Sequence, residues 1–225
     1  MCSTFKLLAT ALILQRVDRG QERLDRRITY TKAEVLSYAP ITQQHVANGM
    51  TVAELCDAAM TLSDNTAANL LLATFGGPLA LNAFLRSIGD TATRLDRTEP
   101  SLNEAAAADP RDTTTPAAMA ANLNRILFGN VLTFSSRTML TNWLMANKTG
   151  DARLRAGLPH NWKAGDKTGT GEHGTTNDVA VLWPPRRAPV LVTVYLTQSS
   201  LDNGGRNAIL VGVGRAVASD FVVAG

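Results

Sequence analysis

A hydroxyl and an amine one helical turn apart, Ser3 and Lys6 in the run Ser3-Thr4-Phe5-Lys6, are the first residues whose types and spacing could do chemistry. Side chains three apart share a helix face, so the amine can take or relay the hydroxyl proton. The helix N-terminus favours the negative charge that develops at an attacked centre. A serine three before a lysine is by itself common. Ser63-Asp64-Asn65 adds a second hydroxyl, a carboxylate and an amide between two helical segments, although these three types are also the preferred helix N-caps. Lys167-Thr168-Gly169-Thr170 interrupts a strand. The glycine there permits close approach of a ligand or another backbone, and the lysine is equally a guard for a sheet edge.

The elements that must position these groups are marked by apolar spacing, caps and breakers. Ser3 to about Asp18 is apolar on most sides and closed by Gly20, the pattern of a buried helix. Thr51-Val52-Ala53-Glu54 is a capping box opening a helix through about Met60. A second helix follows Asn65 and stops at Gly76-Gly77, and Pro78 to Ile88 makes another, ended by Gly89. Arg94 to Asp112 is polar, holds Pro100 and Pro110, and reads as a structured loop pinned by its own charges. Thr115-Pro116 caps a helix to Gly129, and a further helix spans about Ser136 to Ala146. The pattern then turns to β over Trp162 to Thr170, Asp178 to Trp183 and Pro189 to Thr197. The last is a near-continuous apolar run of the kind expected for a strand buried on both faces. About Asn203 to Ser219 is helical and should cover the sheet; Gly212-Val213-Gly214 within it lacks the third glycine of a dinucleotide fingerprint and reads as close helix packing. No repeat or linker divides the chain, which predicts one α+β unit over residues 1–225. Its all-α lobe reaches about residue 150, and an antiparallel β-sheet covered by helices follows from about 151.

Composition excludes several classes. Forty-five per cent hydrophobic and 18% charged residues over 225 positions describe a globular chain, neither disordered nor membrane-spanning. The net charge of +3 comes from scattered basic residues such as Arg26-Arg27 and Arg186-Arg187, and aromatics are 5%, so the basic stripe of a nucleic-acid binder is missing. Cys2, Cys56, His45, His160 and His173 lack the spacing of a zinc site, so neither metal nor cofactor is expected. Leu7 to Leu14 imitates a short secretory signal. Its flank carries one positive side chain, its only small-x-small triplet (Ala9-Thr10-Ala11) lies inside the run, and it falls far short of the ~20 residues of a membrane span.

Taken in order, these three motifs resemble those of the penicillin-recognising serine enzymes, and the resemblance extends to Tyr38-Ala39-Pro40, Asp166 and Thr176-Asn177-Asp178. Glu99-Pro100-Ser101-Leu102-Asn103 resembles the omega-loop motif that sets class A serine β-lactamases apart from transpeptidases and carboxypeptidases. In that family the glutamate and asparagine hold a water against an ester carbonyl, which is what a general base for deacylation must do. The resemblance implies the β-lactamase/transpeptidase-like fold and hydrolysis of penicillins and cephalosporins through a serine acyl-enzyme. It makes Ser3 the nucleophile, Lys6 its proton acceptor, Ser63 the relay to the departing ring nitrogen and Glu99 the deacylating base, with Asn103 beside it. Asn65 would bond the substrate's side-chain amide, with Tyr38 nearby. Lys167, Thr168, Gly169 and Thr170 would take the substrate carboxylate, and the N–H groups of Ser3 and Thr170 would form an oxyanion hole. Many relatives supply a guanidinium from the position of Thr176; here Arg153 matches the place where other members supply it. Arg97 and Asp112 match a pair that closes the loop. Relatives that bridge the position of Cys56 use that of Thr10, and some carbapenem-hydrolysing ones bridge that of Cys2 to that of Gly171, so free cysteines and a spectrum of penicillins and earlier cephalosporins are expected.

Family members place a signal peptide, a helix and two strands before the nucleophile. The resemblance therefore implies a chain with that N-terminal helix and those two strands missing, which would leave Pro189 to Thr197, normally interior to the sheet, as an exposed apolar edge. The implied parent is periplasmic or secreted and monomeric when complete, with β-lactams as its partners and neither nucleic acid nor membrane. Two other outcomes stay open on sequence alone: an inactive, poorly folded fragment, and a penicillin-binding peptidase that acylates without rapid turnover.

Overall fold

The run Leu7 to Leu14 forms the middle of helix α1 (Phe5–Asp18), in which every residue from Phe5 to Gln15 is buried. A helix apolar on all sides needs neighbours on all sides. The computed structural model, which describes residues 1–222, shows what surrounds it. A short antiparallel ladder, β1 (Arg27–Ile28) with β2 (Met50–Thr51), leads into α2 (Val52–Thr61). The expected capping box is formed: Glu54 N donates to Thr51 Oγ1 at 3.2 Å and Thr51 N to Glu54 Oε2 at 2.6 Å. The ladder went unread because two residues are too few to show alternation. Helices α3 (Asn65–Phe75), α4 (Gly77–Ser87), α5 (Pro116–Leu127) and α6 (Phe134–Met145) complete the helical part. One core joins Phe5, Leu8 and Leu12 to Leu72, Leu81, Leu123 and Leu140, and a second gathers Ile13 with Leu55, Cys56, Ala59 and Leu71. α6 starts two residues earlier than its apolar pattern suggests, because Asp18 at the end of α1 accepts bonds from Thr133 N, Thr133 Oγ1 and Ser136 Oγ and anchors the cap.

Strands β3 (Lys163–Thr170), β4 (Thr176–Trp183) and β5 (Val190–Leu196) form an antiparallel sheet in that order, with Thr168 opposite Asp178 and Val179 opposite Thr193. Side chains alternate across a sheet. Val179 and Val181 accordingly join the helical core, while Ala180 and Leu182 pack with Leu154, Val192, Val213 and Val217 under α7 (Asn203–Val222). The architecture is α+β, as the element pattern predicts. Burial on both faces belongs to β4. β5, apolar along its length and expected to become an exposed edge without the two N-terminal strands, is an edge strand among the described residues, and only its Val192 is buried. Backbone-to-backbone packing of α7 on the 154–157 turn rests on Gly214, whose Cβ would lie 2.5 Å from Leu154 O; Gly212 faces open space. No single helix among the described residues is long and apolar enough to cross a membrane.

Candidate active site

The chain enters α1 through a 3-10 turn, Cys2–Thr4, so Ser3 stands in the turn and Lys6 in the first turn of the α-helix. Thr4 Oγ1 donates to Met1 O at 2.8 Å and lies 3.1 Å from Tyr195 Oη on β5, which ties the turn to the sheet. Ser3 Oγ donates to Glu99 Oε1 at 3.1 Å, and Lys6 Nζ lies 3.0 Å from the same oxygen. Lys6 also donates to Ser63 O at 2.7 Å, Asn65 Oδ1 at 2.6 Å and Ser63 Oγ at 3.3 Å. The serine and lysine of the first motif therefore meet through Glu99. Burial lowers the pKa of Lys6, against the pull of Glu99 in the other direction.

Ser63-Asp64-Asn65 divides its labour. Asp64 is the helix cap: it accepts from Ala67 N at 2.9 Å and also from Ile41 N, Thr42 N and Thr42 Oγ1, fixing the segment that follows Tyr38. Asn65 N donates to Tyr38 O at 3.0 Å. Ser63 is held at φ +57°, a left-handed conformation rare for a serine, and its hydroxyl accepts from both Lys6 and Lys167, the latter at 3.0 Å. Burial, with the nearby Lys6 charge adding to it, pushes Lys167 down to about 7. The capping falls to Asp64, while the polar atoms of Ser63 and Asn65 meet Lys6 and Lys167.

Glu99 sits in the loop between α4 and α5, with a cis peptide bond to Pro100. Asn69 holds its backbone on both sides: Glu99 N donates to Asn69 Oδ1 at 2.9 Å, and Asn69 Nδ2 donates to Glu99 O at 2.8 Å. Asn103 Nδ2 donates to Glu99 Oε2 at 2.5 Å. Asn69 was missed from sequence, yet it lies four residues after Asn65 on α3 and so on the same face, which was the available signal. The expected Arg97–Asp112 pair forms at 2.6 Å, with Asp112 buried; Arg97 also meets Glu104 and Asp109. Asp112 Oδ1 accepts from Asp96 N and Arg97 N, and Asp112 N donates to Asp96 Oδ2, so the two ends of the loop are stitched together.

The remaining wall is β3. An added Cβ at Gly169 would lie 3.0 Å from Met1 O and 3.2 Å from Cys2 Cβ, so the glycine lets the strand run beside the turn that carries Ser3. The buried Arg153 clips β3 to β4: Nη1 donates to Gly169 O at 3.0 Å and Asn177 O at 2.7 Å, and Nη2 to Thr170 Oγ1 at 2.6 Å. Burial lowers its pKa, and Asp178 and Asp166 oppose that shift. Asp178 is itself pushed well above the usual carboxylate range, by burial first and by Asp166 next. Two participants escaped the sequence reading. Thr149 Oγ1 lies 2.5 Å from Thr168 Oγ1, and Arg206 Nε on α7 donates to Thr176 Oγ1 at 3.0 Å; neither carries a local signal, since only the folded chain brings them to the strand. Cys2 and Cys56 are free and buried.

Ser3, Ser63, Asn65, Asn103, Thr149, Arg153, Thr168 and Thr170 line a cleft of about 290 Å³, with Tyr38 half exposed at it. Of the residues singled out from sequence, Ser3, Lys6, Ser63, Asn65, Glu99, Asn103 and Lys167 form one hydrogen-bonded set. Tyr38, Thr168, Thr170 and Arg153 line the cleft beside it, and Gly169 backs onto the turn that carries Ser3. A hydroxyl on a carboxylate, a second hydroxyl between two amines and a cationic wall suit attack on an acyl group of an anionic molecule.

A family model described as the beta-lactamase enzyme family matches residues 1–221. The beta-lactamase CTX-M-97 of Escherichia coli is 47% identical over 221 residues, covering 98% of this chain and 76% of that protein. The beta-lactamase L2 of Stenotrophomonas maltophilia is 50% identical over 216 residues, covering 96% of this chain and 71% of that protein. Among solved structures, an ancestral (GNCA) class A beta-lactamase aligns with a TM-score of 0.97 at 66% identity, over 98% of this chain and 85% of that one.

Proposed function

The chain belongs to the class A serine β-lactamases, and on that premise we propose that Ser3 opens the β-lactam ring and Glu99 drives the hydrolysis that releases the product. The overall reaction is hydrolysis of the β-lactam amide, the chemistry by which such enzymes confer resistance to penicillins and cephalosporins. Ser3 Oγ attacks the ring carbonyl as its proton passes to the Lys6–Glu99 pair. The oxyanion is met by the N–H groups of Ser3 and Thr170, a contribution of about 3–4 kcal/mol per donor in acyl-transfer enzymes. The C–N bond breaks, and Ser63, bonded to both Lys6 and Lys167, hands a proton to the departing nitrogen. Glu99, with Asn103, then draws a proton from a water that attacks the ester, and Ser3 is regenerated. Lys167, Thr168, Thr170 and the Arg153 guanidinium receive the substrate carboxylate.

The observation that carries this reading is the position of Glu99 Oε1, 3.1 Å from the atom that bears the acyl group and 3.0 Å from Lys6 Nζ. A base so placed serves turnover, which a peptidase that only acylates does not need. The decisive experiment is Glu99→Gln assayed with nitrocefin and intact-protein mass spectrometry. A single burst and a persistent adduct on Ser3 are expected. Release of the adduct at the parent's rate would exclude Glu99 as the base.

A further inference from the structure

Beyond Glu99 the loop turns past the tip of the β3–β4 hairpin, and three successive carbonyls of the loop are each held by a different donor. Glu172 N donates to Asn103 O at 2.8 Å, His173 Nδ1 lies 2.8 Å from Glu104 O, and Gln198 Nε2 donates to Ala105 O at 3.0 Å. A carbonyl only accepts, so His173 carries its proton on Nδ1 in this contact. The hairpin tip is wedged in place: a Cβ at Gly171 would lie 2.6 Å from both Asn103 O and Cys2 Sγ, and one at Gly174 would lie 1.9 Å from Ser199 O. His173 and Gln198 are themselves held at φ +49° and +56°, and Ala105 at +51°. Left-handed backbone costs energy for such residues and persists where the surroundings over-determine it. His173 and Gln198 are exposed, so burial does not repay that cost.

We propose that His173 and Gln198 are positioning residues for hydrolysis of the acyl-enzyme: through the carbonyls of Glu104 and Ala105 they hold Asn103, and with it the water that Glu99 activates. This rests on the reading of Glu99 as the deacylating base. Glu99 keeps its own anchors on Asn69 and Lys6, and Ser3, Lys6 and Ser63 are fixed by α1 and α3. Releasing the clasp therefore loosens Asn103 and spares the groups that acylate. In a two-step acyl-enzyme mechanism, slower deacylation lowers kcat and KM together and leaves kcat/KM, which reports acylation, unchanged. A purely structural loss of active protein lowers kcat and leaves KM alone.

The test is the double variant His173→Ala/Gln198→Ala in the full chain, compared with the parent, both single variants, His173→Asn and Glu99→Gln. The rate at which the penicilloyl adduct disappears is followed by mass spectrometry beside steady-state kinetics. Both positions are exposed, and a far-UV melt checks folding. Adduct loss about tenfold slower is expected in the double variant, with kcat and KM falling together wherever deacylation limits turnover, and smaller effects in the singles. His173→Asn should restore the rate, because an asparagine amide nitrogen reaches the place of Nδ1 and asparagine tolerates left-handed backbone. Adduct loss within twofold of the parent, a fall in kcat at constant KM, or no rescue by His173→Asn overturns the clasp while Glu99→Gln still traps the adduct. If Glu99→Gln traps nothing, the function reading falls, and the clasp with it.

Discussion

The two halves of the active site are held by opposite means. Ser3 and Lys6 stand where the chain enters α1, and Ser63 and Asn65 where it enters α3, and the apolar faces of these two helices are packed into continuous cores. Glu99 stands on a loop whose ends meet through Arg97, Asp96 and Asp112 and whose far side rests on single hydrogen bonds from the hairpin tip. Ser3, Lys6, Ser63 and Asn65 thus share the stability of the fold, whereas the loop around Glu99 rests on a local polar network.

The sharpest way to break this comparison is to damage each half separately. Leu8→Ala removes a fully buried side chain from α1 and should cost about 2–5 kcal/mol, read as a lower midpoint in urea, with activity per folded molecule retained. Next in size, Asp112→Asn takes the charge from the buried partner of Arg97 and should slow deacylation about 30-fold by mass-spectrometric trapping, while the global melt moves little. A larger loss of stability than of deacylation would contradict the division.

The sheet wall sharpens the comparison because its cations are buried like the first half and electrostatic like the second. Lys167 is held at about 7. It loses its proton as pH rises through that value, so kcat/KM for carboxylate-bearing β-lactams should fall about tenfold per pH unit above it. Stability should move the other way. Between about 7 and the ordinary lysine range the unfolded chain binds the extra proton, so deprotonation favours the folded state, and Lys6 shifts in the same direction. A flat kcat/KM from pH 6 to 9 would refute the assignment. The smallest expected effect is Arg153→Ala, which should raise KM for penicillins about fivefold; an unchanged KM would leave Arg153 as a clip between β3 and β4 and nothing more.

The parts of the site legible in sequence were those whose partners lie within a turn or a strand. Ser3 with Lys6, the Asp64 cap and the Thr51–Glu54 box follow from local spacing; Asn69, four residues after Asn65, carries the same kind of signal but went unread. Arg97 with Asp112 followed from family resemblance and formed as that resemblance implied. Thr149, Arg206 and the contacts of His173 and Gln198 could not be read, since each joins segments distant along the chain.

The sequence by itself determined which residues are chemically equipped, which of the longer segments are helix or strand, and that α1 must be enclosed, because composition and spacing act locally and burial is written in apolar runs. Only the tertiary structure decided that Ser3 and Lys6 meet through Glu99, that Thr149 and Arg206 reach the sheet strands, and that a hairpin tip bonds to the loop that carries Glu99. Those outcomes depend on which distant segments pack together, and hydrogen bonds a few ångströms long form only after that packing is settled.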